Sequence, residues 1–168
     1  MGVTVMSIKL LGSLLLLCAG VWSSFMLARY ERMRVSVLDG YMALIRLIRD
    51  EIDCFAKPLD RILDEADPAV VSACVGRVGH RHVPVVRDLG YMIRSSRAYL
   101  GAEAERLLHG FSEGIGKGFR EGEVKRCDEC LDALGEQRGR LFDSLPARLR
   151  TGCTLCVTVS LSAALLLW

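Results

Sequence analysis

The distribution of charge along the chain constrains its fold more than any other feature. All 20 Asp and Glu residues, and every Lys or Arg residue except Lys9, lie between Ala28 and Arg150. The flanking segments, Ile8 to Leu27 and Gly152 to Trp168, carry one charge between them. A charged middle between two apolar ends predicts a water-facing domain joined to two segments that avoid water.

Both apolar segments are long enough to cross a membrane as helices. At a rise of about 1.5 Å per residue, Leu10 to Leu27 makes a helix of about 27 Å, and Gly152 to Trp168 one of about 25 Å. The hydrocarbon layer of a bilayer is about 30 Å thick. We therefore predict transmembrane helices over 8–27 and 151–168, with a buried core helix as the alternative for each.

A secretory signal peptide is a further alternative for the first segment, because Lys9 precedes an apolar run. The run continues past Ala19 through Trp22 and Phe25 and ends at an arginine cluster, which favours a membrane span. Arginines flank both spans on the side of the middle segment, whereas Lys9 is the only basic residue outside 28–150. The positive-inside rule therefore predicts that 28–150 is cytoplasmic and that both termini face the other side.

Hydrophobic spacing in the middle predicts helices throughout, so the expected fold class is all-α. Two apolar stripes at three- and four-residue steps predict long helices that pack antiparallel in a bundle. The first stripe is Leu38, Tyr41, Met42, Ile45, Ile48, Ile52 and Phe55, and the second is Val124, Cys127, Leu131, Leu134, Leu141 and Leu145.

Shorter helices are predicted between the two stripes, with breaks at proline and glycine. Lys57 and Pro58 are expected to end or kink the first long helix, because proline disfavours helical geometry in the residue before it. Asp67 and Pro68 have the residue types of an N-cap and a first helical position. Gly101 interrupts the next helical stretch, and Gly114 to Gly118 predicts a flexible junction before the last long helix. The predicted faces of the short helices comprise Leu59, Ile62, Leu63 and Ala66; Val70, Val71, Cys74, Val75 and Val78; Val85, Val86, Leu89, Met92 and Ile93; and Leu107, Leu108 and Phe111.

Motifs that carry chemistry are absent or incomplete in the sequence. Two CxxC pairs, at Cys127 and at Cys153, have spacing typical of zinc ligands, but the second pair lies in an apolar segment. The run from Gly114 to Gly118 lacks the Ser or Thr of a phosphate-binding loop. The near-balance of charge and the lack of a basic stripe do not imply nucleic acid as a partner. We predict no catalytic residue, no cofactor and no metal.

Three stretches of the sequence resemble the stage III sporulation protein AB family of endospore-forming Firmicutes. They are Lys9 to Gly12 (KLLG), Ile45 to Leu59 (IRLIRDEIDCFAKPL) and Phe111 to Glu123 (FSEGIGKGFREGE). The landmarks run through most of the chain, except for Ser72 to Leu100. That family is similar to the inner-membrane platform protein of type II secretion and type IV pilus machines, which works beside a cytoplasmic ATPase.

The resemblance implies partner-binding residues, which are Ile52, Pro58, Leu59, Phe111, Gly116 and Glu121. Two positions depart from the family pattern: Phe119 stands where Asp is usual, and Glu123 stands near an expected Gln. If the family's Asp and Gln side chains at these positions bind a partner, this chain does not have the same side chains for that contact. Met6 resembles the usual family start.

The resemblance implies a non-enzymatic membrane scaffold of a secretion-like complex, in the mother-cell membrane around the forespore. Its implied partners are membrane lipid and the other stage III sporulation complex subunits, including the cytoplasmic ATPase, with a homo-oligomer left open. The alternative function is a small membrane-tethered regulator or sensor. It would use His80, His82, Cys127 and Cys130 of the cytoplasmic domain.

Overall fold

The computed structural model describes residues 2–55, 57–76 and 88–166, without the side chains of 2–11, 13, 17, 164 and 166. Within these residues the chain forms α-helices and no strand, which confirms the predicted all-α class. In chain order the helices are α1 (Gly2–Phe55), α2 (Leu59–Glu65), α3 (Pro68–Cys74), α4 (Leu89–Ser96), α5 (Ala102–Gly114) and α6 (Arg120–Leu166).

The helices divide into two compact units. The terminal unit comprises Met1–Arg32 and Asp143–Trp168, and the central unit comprises Met33–Phe142. The long helices α1 and α6 each contribute residues to both units. The central unit lies inside the predicted cytoplasmic range of 28–150.

The core of the central unit is built on one face of α1. Leu38, Tyr41, Ile45 and Ile48 are fully buried, as their helical spacing predicts, and Ile52 is 8% exposed. The buried face is wider than predicted, because it also includes Val37 and Leu44. Phe55 contradicts the prediction: it is 68% exposed, because it is the last residue of α1 and none of the described helices covers it.

Local sequence signals place the breaks between the short helices. α1 ends at Phe55, and α2 begins directly after Pro58, as predicted. The Asp67 carboxylate accepts a hydrogen bond from the backbone N–H of Ala69 at 2.8 Å, with Pro68 opening α3, which confirms the predicted cap. Asp88 caps α4 in the same way, accepting from Gly90 and Tyr91.

The short helices bury most of the faces that the sequence predicts. Their fully or nearly buried members are Ile62, Leu63, Ala66, Val71, Cys74, Val75, Leu89, Met92, Ile93, Leu108 and Phe111. Ala104 joins this core without having been predicted. The predicted core positions Val78, Val85 and Val86 lie outside the described residues.

A buried polar contact joins α1 to α4 inside this apolar core. The Ser96 hydroxyl donates to the carbonyl oxygen of Met92 at 2.9 Å and contacts the Tyr41 hydroxyl at 2.7 Å. Tyr41 therefore donates its proton to Ser96, which satisfies both buried groups. Burial raises the pKa of the Tyr41 phenol above its ordinary value, so the hydroxyl stays protonated.

Ion pairs fix the register of α1 against α6 in the central unit. Asp39 pairs with Arg138, Arg49 with Asp128 at 2.6 Å, and Asp53 with Arg120 at 2.9 Å. As the residue number increases along α1, the residue number of the partner on α6 decreases, which confirms the predicted antiparallel arrangement. Of the predicted α6 stripe, Cys127 and Leu134 are fully buried, and Val124, Leu131, Leu141 and Leu145 are partly buried.

In the terminal unit the first part of α1 contacts the last part of α6, also antiparallel. A Cβ atom on Gly20 would lie 2.2 Å from Ser160 Oγ and 3.3 Å from the carbonyl oxygen of Cys156. A Cβ atom on Gly152 would lie 2.2 Å from Leu27 Cδ2. Glycine is therefore favoured at Gly20, where a side chain would also meet Ser160 Cβ at 2.8 Å, whereas at Gly152 the flexible end of the Leu27 side chain would have to move.

Among the described residues, one part of α1, Leu14–Phe55, contains a stretch that is long and apolar enough to cross a membrane. The criterion uses length and composition, and an N-terminal signal sequence or a soluble core helix also meets it. No second stretch within the described residues meets it, so the predicted span over 151–168 is not found by this criterion.

Candidate functional site

Most of the residues implied by the resemblance lie at or next to one end of the central unit. We call it the distal end: the last turns of α1, the start of α2, the α5–α6 turn and the first turns of α6. The Asp53–Arg120 ion pair joins α1 to α6 there. Asp53 is about 30 Å along α1 from Met33, where the helix enters the unit.

The six implied residues separate into buried and accessible groups. Ile52 and Phe111 are 8% and 4% exposed, so they pack in the core and shape the distal end from inside. Pro58, Gly116 and Glu121 are exposed, and Leu59 is half-buried at the start of α2. A partner could touch these four directly.

The α5–α6 turn has a conformation that requires glycine at one position. Gly116 has φ of 83°, in the left-handed region that side chains with a Cβ rarely adopt. Nothing lies within 4 Å of a Cβ added there, so the backbone angle, and not a lack of space, selects glycine.

A buried carboxylate holds this turn in place. Glu123 is 4% exposed, and its Oε1 atom accepts hydrogen bonds from the backbone N–H groups of Lys117 at 3.1 Å and Gly118 at 2.6 Å. Arg126 donates to the carbonyl oxygen of Gly114 and lies 3.5 Å from Glu123. The predicted flexible junction is thus a hydrogen-bonded turn. The sequence analysis named Glu123 only as a departure from the family pattern and did not predict that it holds this turn.

The fixed turn presents an aromatic side chain to solvent. Phe119, which stands where the resembled family usually has Asp, is 92% exposed. Phe55 is also exposed at the end of α1, with Lys57 Nζ lying 5.3 Å from the centre of its ring. Exposed aromatic side chains are typical anchors of protein interfaces, because they bury a large apolar area on binding.

An open groove of about 830 Å³ lies beside Phe119 along the junction of α1 and α6. Val124 supplies an aliphatic surface, and the ion pairs of Asp53 and Asp128 border it on the α1 side. The full lining is Asp53, Phe119, Arg120, Glu121, Val124, Lys125 and Asp128. The groove and the exposed ring form one continuous surface for a macromolecular contact.

The cysteines of the predicted sensor are buried in the core. Cys127 is fully buried and Cys130 is 8% exposed, and burial raises the pKa of each thiol to about 11. Both thiols are therefore protonated at neutral pH and weak as nucleophiles or metal ligands. His80 and His82 lie outside the described residues. Within the described part of the chain, no three His, Cys, Asp or Glu residues are placed to share a metal ion.

The terminal unit packs in the opposite sense to a water-soluble core. Among the described side chains, its helix contacts include Gly20, Ser160, Gly152 and Leu27, while most of its large apolar side chains are exposed. Those at least 59% exposed are Leu14, Leu15, Val21, Trp22, Phe25, Leu155, Val159 and Leu165. Small residues at helix contacts and large apolar residues outside are typical of helices that pair within lipid.

Hydroxyl groups in the terminal unit bond to their own helices. Ser24 donates to the carbonyl oxygen of Gly20 at 3.0 Å, and Thr158 and Ser160 each donate to the carbonyl four residues earlier at 2.8 Å. Such bonds satisfy polar side chains without water, which a hydrocarbon environment requires.

Comparison of the chain with protein-family models, with curated proteins and with solved structures found no match.

Proposed function

We propose that this protein is a non-enzymatic membrane scaffold of a sporulation-specific secretion-like complex, whose central unit docks a cytoplasmic ATPase. The observation that carries the proposal is the contrast in packing between the two units. The central unit buries Leu44 and Ile48 completely, whereas the terminal unit exposes Trp22, Phe25 and Leu155. An exposed apolar area of this size is unfavourable in water, and contact with lipid would remove it from water.

The membrane part of the proposal includes a second span over 151–168. The outward apolar side chains of α6 in this segment, such as Val159 and Leu165, match those of the first span. The helix contact at Gly20 and Ser160 supports insertion of the two segments as a pair. Arg29 and Arg32 follow the first span and Arg148 and Arg150 precede the second, which favours a cytoplasmic central unit.

The scaffold part of the proposal rests on the surface of the distal end. Phe55 and Phe119 are exposed there, and the accessible residues Pro58 and Leu59 follow Phe55 along the chain. Apolar anchors within a charged rim have the composition of protein interfaces. The sporulation setting, the mother-cell membrane and the ATPase as partner come from the resemblance to the stage III sporulation protein AB family.

Copurification tests the docking proposal. Tagged full-length protein from membranes of sporulating cells is expected to capture the ATPase of the complex. Leu59→Glu is expected to reduce the captured ATPase at least several-fold, because it places a charge in the proposed interface. Phe142→Ala is the control, since Phe142 is also exposed but lies at the other end of the central unit. Equal capture by wild type and Leu59→Glu would overturn the assignment of this surface, and no capture by wild type would overturn the docking proposal.

Reporter fusions test the membrane topology. Alkaline phosphatase fused after Trp168 is expected to be active, because the second span carries the C-terminus across the membrane. The matched fusion after Arg150 removes that span and is expected to be inactive in the cytoplasm. Equal activity of the two fusions would contradict the second span.

A further inference from the structure

The terminal unit carries four exposed arginines at the point where its apolar surface ends. We call them the arginine collar: Arg29, Arg32, Arg148 and Arg150. Among the residues that the structure describes, none of the four has an ion-pair or hydrogen-bond partner for its guanidinium group. In the central unit, by contrast, Arg120 and Arg138 pair with carboxylates of α1. The guanidinium groups of the collar are therefore available to an anion from outside the chain.

The four arginines lie at one level of the helix pair. A Cβ atom on Gly152 would meet Leu27, so these two residues lie side by side in the antiparallel contact. Arg29 follows Leu27 by two residues on α1, and Arg150 precedes Gly152 by two residues on α6, so the two arginines are level. The second collar residue of each helix follows within three residues, which is less than one turn. The collar therefore occupies a layer about 5 Å deep.

The level of the collar matches the headgroup layer of a bilayer. The headgroup regions add about 5–7 Å to each side of the hydrocarbon. With the proposed spans ending near Leu27 and Gly152, the collar residues lie about 3–8 Å beyond those ends. The exposed apolar side chains of Phe25 and Leu155 lie on the other side of the same ends. The inference that follows therefore rests on the membrane part of the proposed function.

The collar surrounds the helix pair and does not form a patch on one side. Arg29 follows the contact residue Gly20 by nine residues, about two and a half turns, so it lies on the side of α1 away from α6. Arg148 and Arg150 are two residues apart, about 200° around α6, so they face different sides. A protein seated on one side would leave the other arginines without an anion, whereas lipid surrounds the pair.

The two acids of the terminal unit do not neutralise the collar. Glu31 is 9% exposed, so its carboxylate lies inside the unit. Asp143 is exposed, but it lies about 7.5 Å along α6 from Arg148, on the side away from the apolar surface. The outer surface at the collar is therefore positive. A guanidinium group matches phosphate well, because it donates two parallel hydrogen bonds to the phosphate oxygens.

We propose that the arginine collar binds the headgroup phosphates of anionic phospholipids in the cytoplasmic leaflet. The occupant is a lipid headgroup because the collar lies at headgroup depth, surrounds the helix pair and adjoins an exposed apolar surface that the acyl chains of the same lipids would cover. The collar selects lipids by headgroup charge, which acyl chains packed on the apolar surface do not do. The binding does not depend on the ATPase or on the sporulation setting.

Quenching of Trp22 fluorescence by brominated lipids tests the selection. Full-length protein with Trp168→Phe, which leaves Trp22 as its only tryptophan, is placed in nanodiscs of phosphatidylglycerol and phosphatidylcholine in equal parts. Trp22 is 64% exposed and lies seven residues, about 10 Å, from Arg29 on the same side of α1, so it reports on lipids bound at the collar. Brominated phosphatidylglycerol is expected to be enriched about threefold to tenfold over brominated phosphatidylcholine.

Charge removal gives the sharper test. Replacing all four collar residues by Gln is expected to reduce the enrichment to about 1.5-fold or less, and replacing them by Lys, which keeps the charge, is expected to retain about half of it or more. The matched control replaces by Gln one exposed arginine on each of four helices of the central unit: Arg46, Arg61, Arg94 and Arg106. It changes the net charge equally and is expected to leave the enrichment unchanged. Nanodiscs have two equivalent leaflets, so the orientation of a variant does not affect the result.

Three results would overturn lipid binding by the collar: no enrichment in the wild type, an equal loss in the control variant, or an equal loss in the Gln and Lys variants. Two others would overturn it by assigning another anion. Loss of the enrichment on adding sodium phosphate at constant ionic strength would indicate free phosphate, and unchanged enrichment in the Gln variant with loss of ATPase capture would indicate a protein. A wild type that does not enter nanodiscs of phosphatidylcholine alone would instead contradict the membrane part of the proposed function, so the two failures are distinguishable.

Discussion

The terminal and central units use the same kinds of side chain for opposite purposes. Along the single helix α1, Trp22 and Phe25 point outward, whereas Tyr41 and Leu44 are fully buried. The helix contacts differ accordingly: Gly20 admits a close approach in the terminal unit, and branched or aromatic side chains fill the core of the central unit. If the terminal unit lies in lipid as proposed, the difference shows that the surrounding medium, and not helix propensity, decides which face of a helix is buried.

The two units also satisfy polar groups differently. In the central unit, Asp53 and Arg120 bond across helices, so charges fix the register of α1 against α6. In the terminal unit, Ser24 and Ser160 bond to carbonyls of their own helices. Charges can be left partly exposed where water is present, but in hydrocarbon each polar group needs a partner close by in the chain.

The largest effect that should separate the units is alkaline unfolding of the central unit. Burial raises the pKa of Cys74 to about 12 and those of Cys127 and Cys130 to about 11. The folded thiols stay protonated where the unfolded thiols ionise, so stability is retained below about pH 8.5 and falls as the pH rises above it. Each thiol contributes up to about 1.4 kcal/mol per pH unit.

Urea unfolding between pH 8 and 10 in mild detergent measures this loss. Replacing Cys127 and Cys130 by Ala is expected to flatten the pH dependence by up to about 2.7 kcal/mol per pH unit. Cys54→Ala is the control, because Cys54 is an exposed thiol of the same unit. The same slope in all three proteins would show that the buried thiols do not titrate as described.

Truncation of one leucine in each unit makes the next comparison. Leu44→Ala in the central unit is expected to cost about 2–5 kcal/mol, because it leaves a cavity in a fully buried site. Leu155→Ala in the terminal unit is expected to cost less than about 0.5 kcal/mol, since Leu155 is 59% exposed and would face lipid or detergent in the proposed second span. Unfolding midpoints in detergent give both values, and equal losses would contradict the inverted packing.

Enlarging a glycine tests the helix contact of the terminal unit. Gly20→Leu is expected to separate the two helices, because the new Cβ atom collides with Ser160. N-ethylmaleimide should then modify the half-buried Cys156 several-fold faster, as measured by mass spectrometry of the labelled peptide. Gly12→Leu provides the comparison, since a Cβ atom there meets nothing within 4 Å. Unchanged labelling in Gly20→Leu would argue against the contact.

The smallest effect concerns the buried hydroxyl pair of the central unit. Tyr41→Phe removes the hydrogen bond to Ser96 and is expected to cost about 0.5–1.5 kcal/mol. Tyr91→Phe should change stability by less than about 0.5 kcal/mol, because Tyr91 is 40% exposed. Urea unfolding of both variants checks the difference, and a neutral Tyr41→Phe would mean that the contact contributes nothing net.

Features that depend on neighbouring residues were predicted best from the sequence. The Asp67 cap, the start of α3 at Pro68 and the end of α1 before Pro58 need only a few adjacent residues. The buried stripe of α1 was also predicted, because its helical spacing is set by the same residues that pack. Phe55 follows the same helical spacing as the stripe, but it lies at the end of α1 and is 68% exposed.

The site residues were harder to predict, because their roles depend on contacts between elements. Glu123 is an acid near a helix start in the sequence, and that residue type is ordinary there. Its burial, and its bonds to Lys117 and Gly118, become evident only when the turn is built. The exposure of Phe119 follows from the same turn, whereas an isolated phenylalanine in a sequence predicts burial.

The sequence by itself determined the division of charge: an all-α chain with a charged middle, between apolar segments that carry only Lys9. That much follows from residue composition and spacing, because solvent preference and helical periodicity are local properties. Only the tertiary structure decided that Glu123 is buried beneath the turn, that Phe119 faces solvent and that Gly20 approaches Ser160. These relations join residues whose meeting depends on how whole helices pack, which short-range spacing does not specify.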